Sequence, residues 1–423
     1  MNTSRIYKEY DGIIIVIPSR NRAAIAESAI RSVLEQERAN FHILVSDNST
    51  EPAAIARLAE FCKSVNDPRL HYTKPPAPLP MTPHWDWALR QALDRYDASH
   101  VTFLTDRMIF KPHALRALAD IATQAPTQII SYMHDRVVDN QQPVEVDQHS
   151  WTGKLFSVSA TRLLELSSQS VLHEMLPRML NTLVPRTLLN SLGHRYGKFF
   201  DSHAPDFNFC YRALEIEESI IFYDAALLIH YALDRSNGAS ASSGVSGQDR
   251  DDFVSDLRKS HGYFAAPIPE ILTARNSIAH EYCVARNETQ SAKFPVLDMP
   301  SYLKAIAGEV SEMTNQQLRR EAEDALAAKG AVQPRRPLSL AQKLVSPGIV
   351  ARKVAREARM LRALAFKNGA FAGDAPKFGT LEAALAYAVN SPRPRVESQP
   401  ALEELFGLTP LPLEVPLSTV ASY

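Results

Sequence analysis

The chain has few of the cysteines that stabilise small disulfide-linked folds and few of the glycines that form phosphate-binding loops. Its 423 residues include three cysteines, Cys62, Cys210 and Cys283, which are far apart and form no CxxC pair. This usage indicates neither a zinc site nor a disulfide framework, and a reducing compartment fits best. Glycine is scarce, with 15 residues against 28 prolines, and GxGxxG, GxxxxGK(S/T), GxSxG and HExxH motifs are missing. These absences argue against dinucleotide oxidoreductases, P-loop kinases, lipase-like hydrolases and zinc proteases.

The sequence also lacks an excess of one charge and a long apolar run. Its formal net charge is -1, so no global field attracts nucleic acid and any anion must be bound by a local charge cluster. The polar start, MNTSRIYKEYDG, does not read as a secretory signal, and no stretch reaches the ~18 apolar residues of a spanning helix. We therefore expect a cytoplasmic protein without a nucleic-acid partner, peripheral at most to the inner face of a membrane.

The N-terminal part alternates apolar strands with amphipathic helices. Residues Ile13–Ile17 form a continuous β-branched run, typical of a strand covered on both faces. Apolar residues at helical spacing come after this strand and its polar turn. Further strands are expected at 41–45, 70–72 and 101–104. This alternation predicts an α/β fold with a doubly wound, mostly parallel sheet.

The rest of the chain is less regular. We expect mostly helix over 161–193, a helix from Pro205, and two closing strands at 219–223 and 227–231. The predicted organisation is an α/β domain over 1–235, a flexible Ser/Gly-rich loop or lid over 236–264, and a helical appendage with proline-rich connectors over 265–423.

Polar turns follow three of the predicted strands. They read Pro-Ser-Arg-Asn-Arg at 18–22, Ser-Asp-Asn-Ser-Thr at 46–50 and Thr-Asp-Arg at 105–107. Ligands of open parallel sheets bind outside the carboxyl ends of the strands, so these turns are candidates for one binding crevice. Each turn alone is explained equally well as ordinary turn and helix-cap chemistry.

Taken together, these segments resemble the family-2 glycosyltransferases of the GT-A fold over about residues 12–235. The resemblance lies in IVIPSRNR at 15–22, SVLEQ at 32–36, ILVSDNST at 43–50, MTPHWDWAL at 81–89 and FLTDRM at 103–108. It implies an inverting, hexosyltransferase-type enzyme that moves a sugar from a nucleotide-diphosphate donor, a UDP-sugar, to a hydroxyl of a saccharide or lipid-linked acceptor. The setting implied by the family is surface polysaccharide or glycoconjugate synthesis.

The resemblance also implies a nucleotide pocket. Pro18 and Arg20 would line it, and Asp47 would accept hydrogen bonds from the base or ribose. A carboxylate suits that role because it can take two donors at once. The alternative for Asp47 is to cap a helix that starts near Glu51.

Asp106-Arg107-Met108 departs from the family pattern, which places two or three acidic residues here to hold a divalent cation. Mg²⁺ and Mn²⁺ favour oxygen ligands, whereas methionine offers none and Arg107 would repel a metal. In one interpretation Asp106 still holds Mn²⁺ or Mg²⁺ with the diphosphate, waters and His230. In the preferred one Arg107 itself neutralises the diphosphate and metal dependence is reduced. In a third, Arg107 pairs with Asp106 and the site is inactive.

An inverting transferase needs a base that deprotonates the acceptor hydroxyl. The resemblance points to Asp206, which follows Pro205 at a helix start, where the helix N-terminus would stabilise its ionised form. Asp206 could instead be an ordinary first-turn acid, and Asp201 or His203 could take its place as base.

Two further residues belong to the implied donor site. His230 follows the last strand, where related enzymes supply a histidine to the metal or diphosphate, although a histidine in this setting is often structural. Arg235 opens the Ser/Gly-rich loop and would lie near phosphate if that loop closed over the donor.

The C-terminal region contains a basic amphipathic pattern over 349–367, which can lie on an anionic membrane surface or pack on the domain with a solvated basic face. Two rival functions remain. One is a non-catalytic nucleotide-sugar or glycan-binding protein on the same fold. The other is a nucleotidyltransferase, although the turn at 18–22 lacks the glycines of its phosphate loop.

Overall fold

The structure is a computed structural model that describes most of the α/β region and parts of the C-terminal region. The described residues are 11–37, 39–148, 150–233, 255, 265–330, 375–391, 395–413 and 415. Arg235, all but one residue of the predicted lid over 236–264, and the basic pattern over 349–367 lie outside them.

A mixed, 12-stranded sheet runs through the described part of the chain. Its strands are β1 (Ile13–Ser19), β2 (Phe41–Asp47), β3 (Leu70–Thr73), β4 (His100–Phe103), β5 (Met108–Phe110), β6 (Ile130–Val138), β7 (Val144–Asp147), β8 (Leu155–Ser159), β9 (Thr182–Pro185), β10 (Ser219–His230), β11 (Lys377–Phe378) and β12 (Thr409–Pro410). Their order is β12-β8-β10-β6-β9-β4-β1-β2-β3, with β5 paired to β10, β7 to β6 and β11 to β7.

The N-terminal half of the sheet is parallel. Strand β1 pairs with β2 on one side and β4 on the other, and β2 pairs with β3. Every residue of β1 is buried, and its last residue, Ser19, lies opposite Asp47, the last residue of β2. The carboxyl ends of these strands therefore lie at one edge.

Helices cover both faces of this sheet. They are α1 (Ala23–Leu34), α2 (Pro52–Val65), α3 (Met81–Arg95), α4 (Ala114–Gln124), α5 (Ala160–Ser168), α6 (Arg186–Tyr196), α7 (Pro205–Ile216), α8 (Ala274–Thr289), α9 (Met299–Glu312), α10 (Gln316–Ala328), α11 (Leu381–Asn390) and α12 (Pro400–Phe406), with a 3-10 turn at Met179–Asn181. Ile14 and Val16 of β1 pack in the core that contains α3 and α7, whereas Ile13, Ile15 and Ile17 pack in the core that contains α1 and α4. The predicted α/β class, doubly wound sheet and C-terminal helices are confirmed.

The sequence prediction was wrong in detail within the less regular third of the chain. Residues 182–185, expected in a helix, form strand β9 between β4 and β6. Residues 219–230 form one strand rather than two, with an irregularity between Tyr223 and Leu228 in its pairing with β6. Both errors have the same cause, because a four-residue strand beside a helix and a bulge inside a strand leave no clear period in the sequence.

The C-terminal region contributes to the sheet as well as to the helical layer. Strand β11 pairs with β7 and β12 pairs with β8, both antiparallel. Helix α8 packs against α7, and α9 packs against both α8 and α10. The division of the chain at 235 and 265 stays a prediction. None of the helices in the described ranges is both long and apolar enough to cross a bilayer.

An aromatic cluster joins the parallel strands to the segment that leads into α7. The Phe200 ring lies 5.7 Å from Trp85, 5.3 Å from Phe103 and 5.9 Å from Phe209, measured between ring centroids. Phe200 is 1% exposed, so its ring is part of the core.

We predict that Phe200→Ala lowers the free energy of unfolding by about 3–5 kcal/mol, because it removes a buried ring and leaves a cavity. Chemical denaturation followed by tryptophan fluorescence measures the change. Val296→Ala is the control, since Val296 is 71% exposed and its truncation should change stability by less than about 0.5 kcal/mol. An equal effect of the two substitutions would contradict the placement of Phe200 in the core.

Candidate active site

The three polar turns meet at the carboxyl edge of the parallel strands. Ser19 donates from its hydroxyl to Oδ2 of Asp106 at 3.0 Å, and its carbonyl oxygen accepts from the backbone N–H of Asn48 at 2.8 Å. Ser19, Asp47 and Asp106 are all buried there. The fold thus brings together residues that are up to 87 positions apart.

Asp106 is paired with Arg22. The guanidinium Nη1 of Arg22 lies 3.2 Å from Oδ1 of Asp106, while Ser19 occupies Oδ2. Arg107 places Nη1 3.5 Å from the carbonyl oxygen of Ala232. Arg22, to which the sequence assigned no individual role, is therefore the partner that the third interpretation gave to Arg107.

The residues around Asp106 do not fit a divalent cation. Both of its carboxylate oxygens already accept hydrogen bonds, and the positive Arg22 is one of the donors. The described residues contain no group of three or more His, Cys, Asp or Glu side chains arranged to hold a metal. A hard cation needs several oxygen ligands, and Asp106 offers it no free carboxylate oxygen here.

Asp47 is held by its own turn and by the neighbouring strand. Oδ1 accepts from the backbone N–H of Ser49 at 2.9 Å, and Oδ2 accepts from the Tyr72 hydroxyl at 2.8 Å. Burial, followed by the hydrogen bond to Asp47, raises the pKa of Tyr72. Asp47 therefore does not cap α2. The backbone N–H groups of Thr50 and Glu51 donate instead to Oδ1 of Asn21, at 2.8 and 3.1 Å.

Pro18 and Arg20 flank the end of β1. Pro18 is buried and lies opposite Ser46 in the register of β1 and β2, while Arg20 is half-buried. Ser46 hydrogen-bonds through its hydroxyl to Nε2 of His84 on α3 at 2.8 Å. Burial lowers the pKa of His84 to about 4, and the charge of Arg20 adds to the effect. His84 is thus a neutral, buried partner of Ser46 at the end of β2.

A basic cluster surrounds His230 on β10. Burial lowers the pKa of His230 well below its usual value, and positive neighbours lower it further, in the order Arg107, His134, Arg178 and Arg136. Its Nε2 atom is buried and makes no hydrogen bond to the described residues. His230 is therefore uncharged near neutral pH. Of its positive neighbours, Arg136 is paired with Asp147 at 2.8 Å and His134 lies 3.4 Å from Glu174.

Asp206 lies in the first turn of α7, as predicted. Burial raises its pKa, opposed first by the charge of Arg178 and then by the backbone N–H groups of Phe207 and of Asp206 itself. The helix start favours the ionised form, as predicted, but desolvation outweighs that effect. A carboxylate with a raised pKa is a stronger proton acceptor.

Arg178 was missed by the sequence analysis, although it acts on both Asp206 and His230. Its guanidinium carbon lies 5.4 Å from the centroid of the Phe207 ring, beside Asp206 in the sequence, and its Nε atom is buried without a hydrogen bond to the described residues. It precedes the short 3-10 turn at Met179–Asn181. No periodic pattern or strand end marks that position, so the sequence carried no signal for it.

The two substitutes for Asp206 are engaged elsewhere. Asp201 accepts from the backbone N–H of Ser202 and lies 3.5 Å from Nζ of Lys198. The His203 ring stacks on His280 with 4.6 Å between the ring centroids. Asp206 remains the best candidate base among them. Arg235 lies outside the described residues, so its place near phosphate stays a prediction.

Comparison with known proteins finds a family match for the segment that contains the carboxyl edge of the parallel strands. Residues 14–182 match the family described as Glycosyl transferase family 2. Protein CgeD of Bacillus subtilis (strain 168) is 22% identical over 199 residues, which are 46% of this chain and 43% of CgeD. The alignment thus spans less than half the length of that curated relative.

Solved structures of lower similarity extend over more of the chain. S. aureus TarS 1-349 in complex with UDP-GlcNAc is 16% identical with a TM-score of 0.42, covering 76% of this chain and 88% of that one. The mannosyltransferase PcManGT from Pyrobaculum calidifontis, in complex with GDP-Man and Mn²⁺, is 15% identical with a TM-score of 0.37, covering 77% and 83%.

We predict that His84 makes the protein less stable in acid. With a folded pKa of about 4 against 6.5, the unfolded chain binds a proton between these values that the folded chain does not, so stability falls as the pH falls through this window. In His84→Gln the slope of unfolding free energy against pH should be smaller by up to about 1.4 kcal/mol per pH unit. Urea denaturation from about pH 4.5 to 8 measures it. Above about pH 7.5 the unfolding free energies of the wild type and His84→Gln should change in parallel with pH. Equal slopes of the two curves at pH 5 would show that His84 titrates normally.

Proposed function

We propose that this chain, whose residues 14–182 match the family described as Glycosyl transferase family 2, is an inverting, hexosyltransferase-type glycosyltransferase. It transfers a sugar from a nucleotide-diphosphate donor, a UDP-sugar, to a hydroxyl of a saccharide or lipid-linked acceptor in surface polysaccharide or glycoconjugate synthesis. One observation carries the proposal: within the matched segment, Ser19, Asp47 and Asp106 meet at the carboxyl edge of parallel strands. Proteins with such sheets bind nucleotides at this edge.

The nucleoside is assigned to the end of β1 and β2. Pro18 and Arg20 form its wall, and Asp47 accepts from the base or ribose. Asp47 is fully buried and already accepts from Tyr72, so the nucleoside shares or replaces that phenol as a donor. A carboxylate oxygen has room for more than one donor, which makes sharing chemically reasonable.

The diphosphate is assigned to the basic cluster around His230. Arg107 and Arg178 supply guanidinium groups, which pair with phosphate oxygens in a bidentate manner, and His230 offers a neutral nitrogen. Arg235 is also assigned to the diphosphate, on the basis of the family resemblance alone. Arginines take the place of the expected metal ligands, Asp106 and His230, because Arg22 and Ser19 already occupy Asp106.

Asp206 is assigned the role of base. It removes the proton from the acceptor hydroxyl as the acceptor oxygen bonds to the anomeric carbon. The bond from that carbon to the diphosphate oxygen breaks at the same time, and its electron pair leaves with the diphosphate, which inverts the anomeric centre. Arg178 favours ionised Asp206, while burial keeps the carboxylate basic.

A non-catalytic nucleotide-sugar or glycan-binding protein is the second candidate. The pairing of Asp106 with Arg22 favours it, because a neutralised aspartate has lost the function that the family gives it. The two candidates differ in whether Asp206 contributes to turnover.

We predict that Asp206→Asn lowers the rate of sugar transfer by ~10²–10⁴, the usual contribution of a general base, and changes UDP affinity by less than ~3-fold. Turnover is measured as UDP release from UDP-GlcNAc and other UDP-sugars with and without saccharide acceptors, and affinity by calorimetry. Asp201→Asn is the matched control and should keep nearly full activity. Unchanged transfer in Asp206→Asn would remove Asp206 as the base. UDP binding by a wild-type protein that never releases sugar would support the binding protein.

We predict that nucleotide binding does not depend on a divalent cation. Titration with UDP, GDP, CDP and dTDP should give a dissociation constant for the preferred nucleotide that agrees within ~3-fold in Mn²⁺ and in EDTA. Arg178→Ala should weaken that binding by ~10-fold, equivalent to about 1.4 kcal/mol. Arg195→Ala is the control, since Arg195 pairs with Glu215 on α7. Binding that requires Mn²⁺ would restore Asp106 as a metal ligand.

A further inference from the structure

Helix α7, which carries Asp206, has no side-chain acceptor at its N-cap position. The residue at its N-cap position is Ala204, whose side chain cannot accept a hydrogen bond. The first N–H groups of a helix have no partner within the helix, so a buried start requires acceptors from elsewhere.

Glu281 of α8 supplies that acceptor from 77 and 78 residues away. Its Oε1 accepts from the backbone N–H of His203 at 2.8 Å and from that of Ala204 at 2.7 Å. Its Oε2 accepts from the side-chain amide of Asn208, one turn into α7, at 3.2 Å. Glu281 is fully buried. In a capping box, a helix's own third residue accepts from the N-cap N–H; here that residue is Phe207, and α8 provides the acid instead.

Further contacts hold the same segment. Nε2 of His280 lies 2.7 Å from the Ser202 hydroxyl, and the Ser202 carbonyl oxygen accepts from Thr82 of α3 at 2.9 Å. The segment that leads into α7 is therefore held by two helices, α3 and α8. Of the residues that contact this segment, Glu281 is the one that accepts from the backbone N–H groups of His203 and Ala204.

We propose that Glu281 is a positioning residue for Asp206: by capping α7 from α8, it sets the place of the carboxylate that acts on the acceptor hydroxyl. The kinetic part of this inference rests on the proposed function of Asp206, whereas the capping part does not.

The capping role needs a carbonyl-type oxygen rather than a charge. Burial raises the pKa of Glu281 to about 8, opposed by hydrogen bonds from Ala204, His203, Ser202 and Asn208. An ionised or a protonated carboxyl group can each accept from two N–H groups, and so can the amide oxygen of glutamine. Glu281→Gln should thus keep the two backbone hydrogen bonds to one oxygen and lose only the one that Oε2 accepts from the Asn208 amide, whereas Glu281→Ala removes all three.

Steady-state kinetics on the full chain with UDP-GlcNAc and other UDP-sugars separates positioning from general damage. We expect Glu281→Ala to lower kcat by ~10- to 100-fold, the cost of a displaced catalytic group, with the donor KM changed less than ~3-fold. Glu281→Gln should retain kcat within ~3-fold. The matched control is Glu288→Ala, which breaks another link between α8 and α7, the pair with Arg212 at 2.8 Å, without touching the cap. If Glu288→Ala lowers kcat as much as Glu281→Ala, or if Glu281→Gln is as impaired as Glu281→Ala, the positioning role is refuted.

Amide hydrogen exchange tests the cap without any activity. Peptides that contain residues 203–208 should exchange at least ~10-fold faster in Glu281→Ala than in the wild type, Glu281→Gln or Glu288→Ala, because only the first loses the acceptor. Unchanged exchange in Glu281→Ala would overturn the proposal. Faster exchange with no loss of kcat would also overturn it, and would leave the function of the protein as proposed. A wild type that turns over no donor, with the expected exchange, would refute the function while the cap stands.

Discussion

The pairing of β1 with β2 on one side and β4 on the other fixes where the candidate donor-site residues can lie. Parallel strands in register end together, so the residues after them share an edge. The hydrogen bond from Ser19 to Asp106 closes that edge across two strands. Because both faces of β1 are covered by apolar cores, side chains at the edge have few directions open to them, and their polar groups bond to one another.

The family pattern that the chain resembles places two or three acidic residues at the positions of 106–108, where they bind a divalent cation. This chain instead has one aspartate there, and it is paired with an arginine. Asp106 is paired locally with Arg22, while Arg107 and Arg178 lie near enough to His230 to lower its pKa. Burial keeps His230 neutral and raises the pKa of Asp206. The candidate site thus combines a neutral histidine near arginines with a carboxyl group of raised pKa, and Arg178 acts on both.

The C-terminal region makes direct contacts with the helix that carries Asp206. Helix α8 contributes Glu281 to the start of α7 and Glu288 to Arg212 further along. Strands β11 and β12 extend the sheet on the side of β7 and β8. Residues far from the family-matched segment therefore determine how firmly Asp206 is held.

The sequence by itself determined the α/β class, the order of the first strands and helices, the polar turns and the helix that starts at Pro205, because apolar periodicity, proline and turn residues act locally. It missed β9, the single strand at 219–230, the pairing of Asp106 with Arg22, and the roles of Tyr72, Arg178 and Glu281. Each of these depends on contacts between residues distant in sequence, or on a segment too short to show a period. Only tertiary packing decided which charges meet, and burial at those contacts set the pKa shifts of the site, since desolvation exists only once the chain has folded.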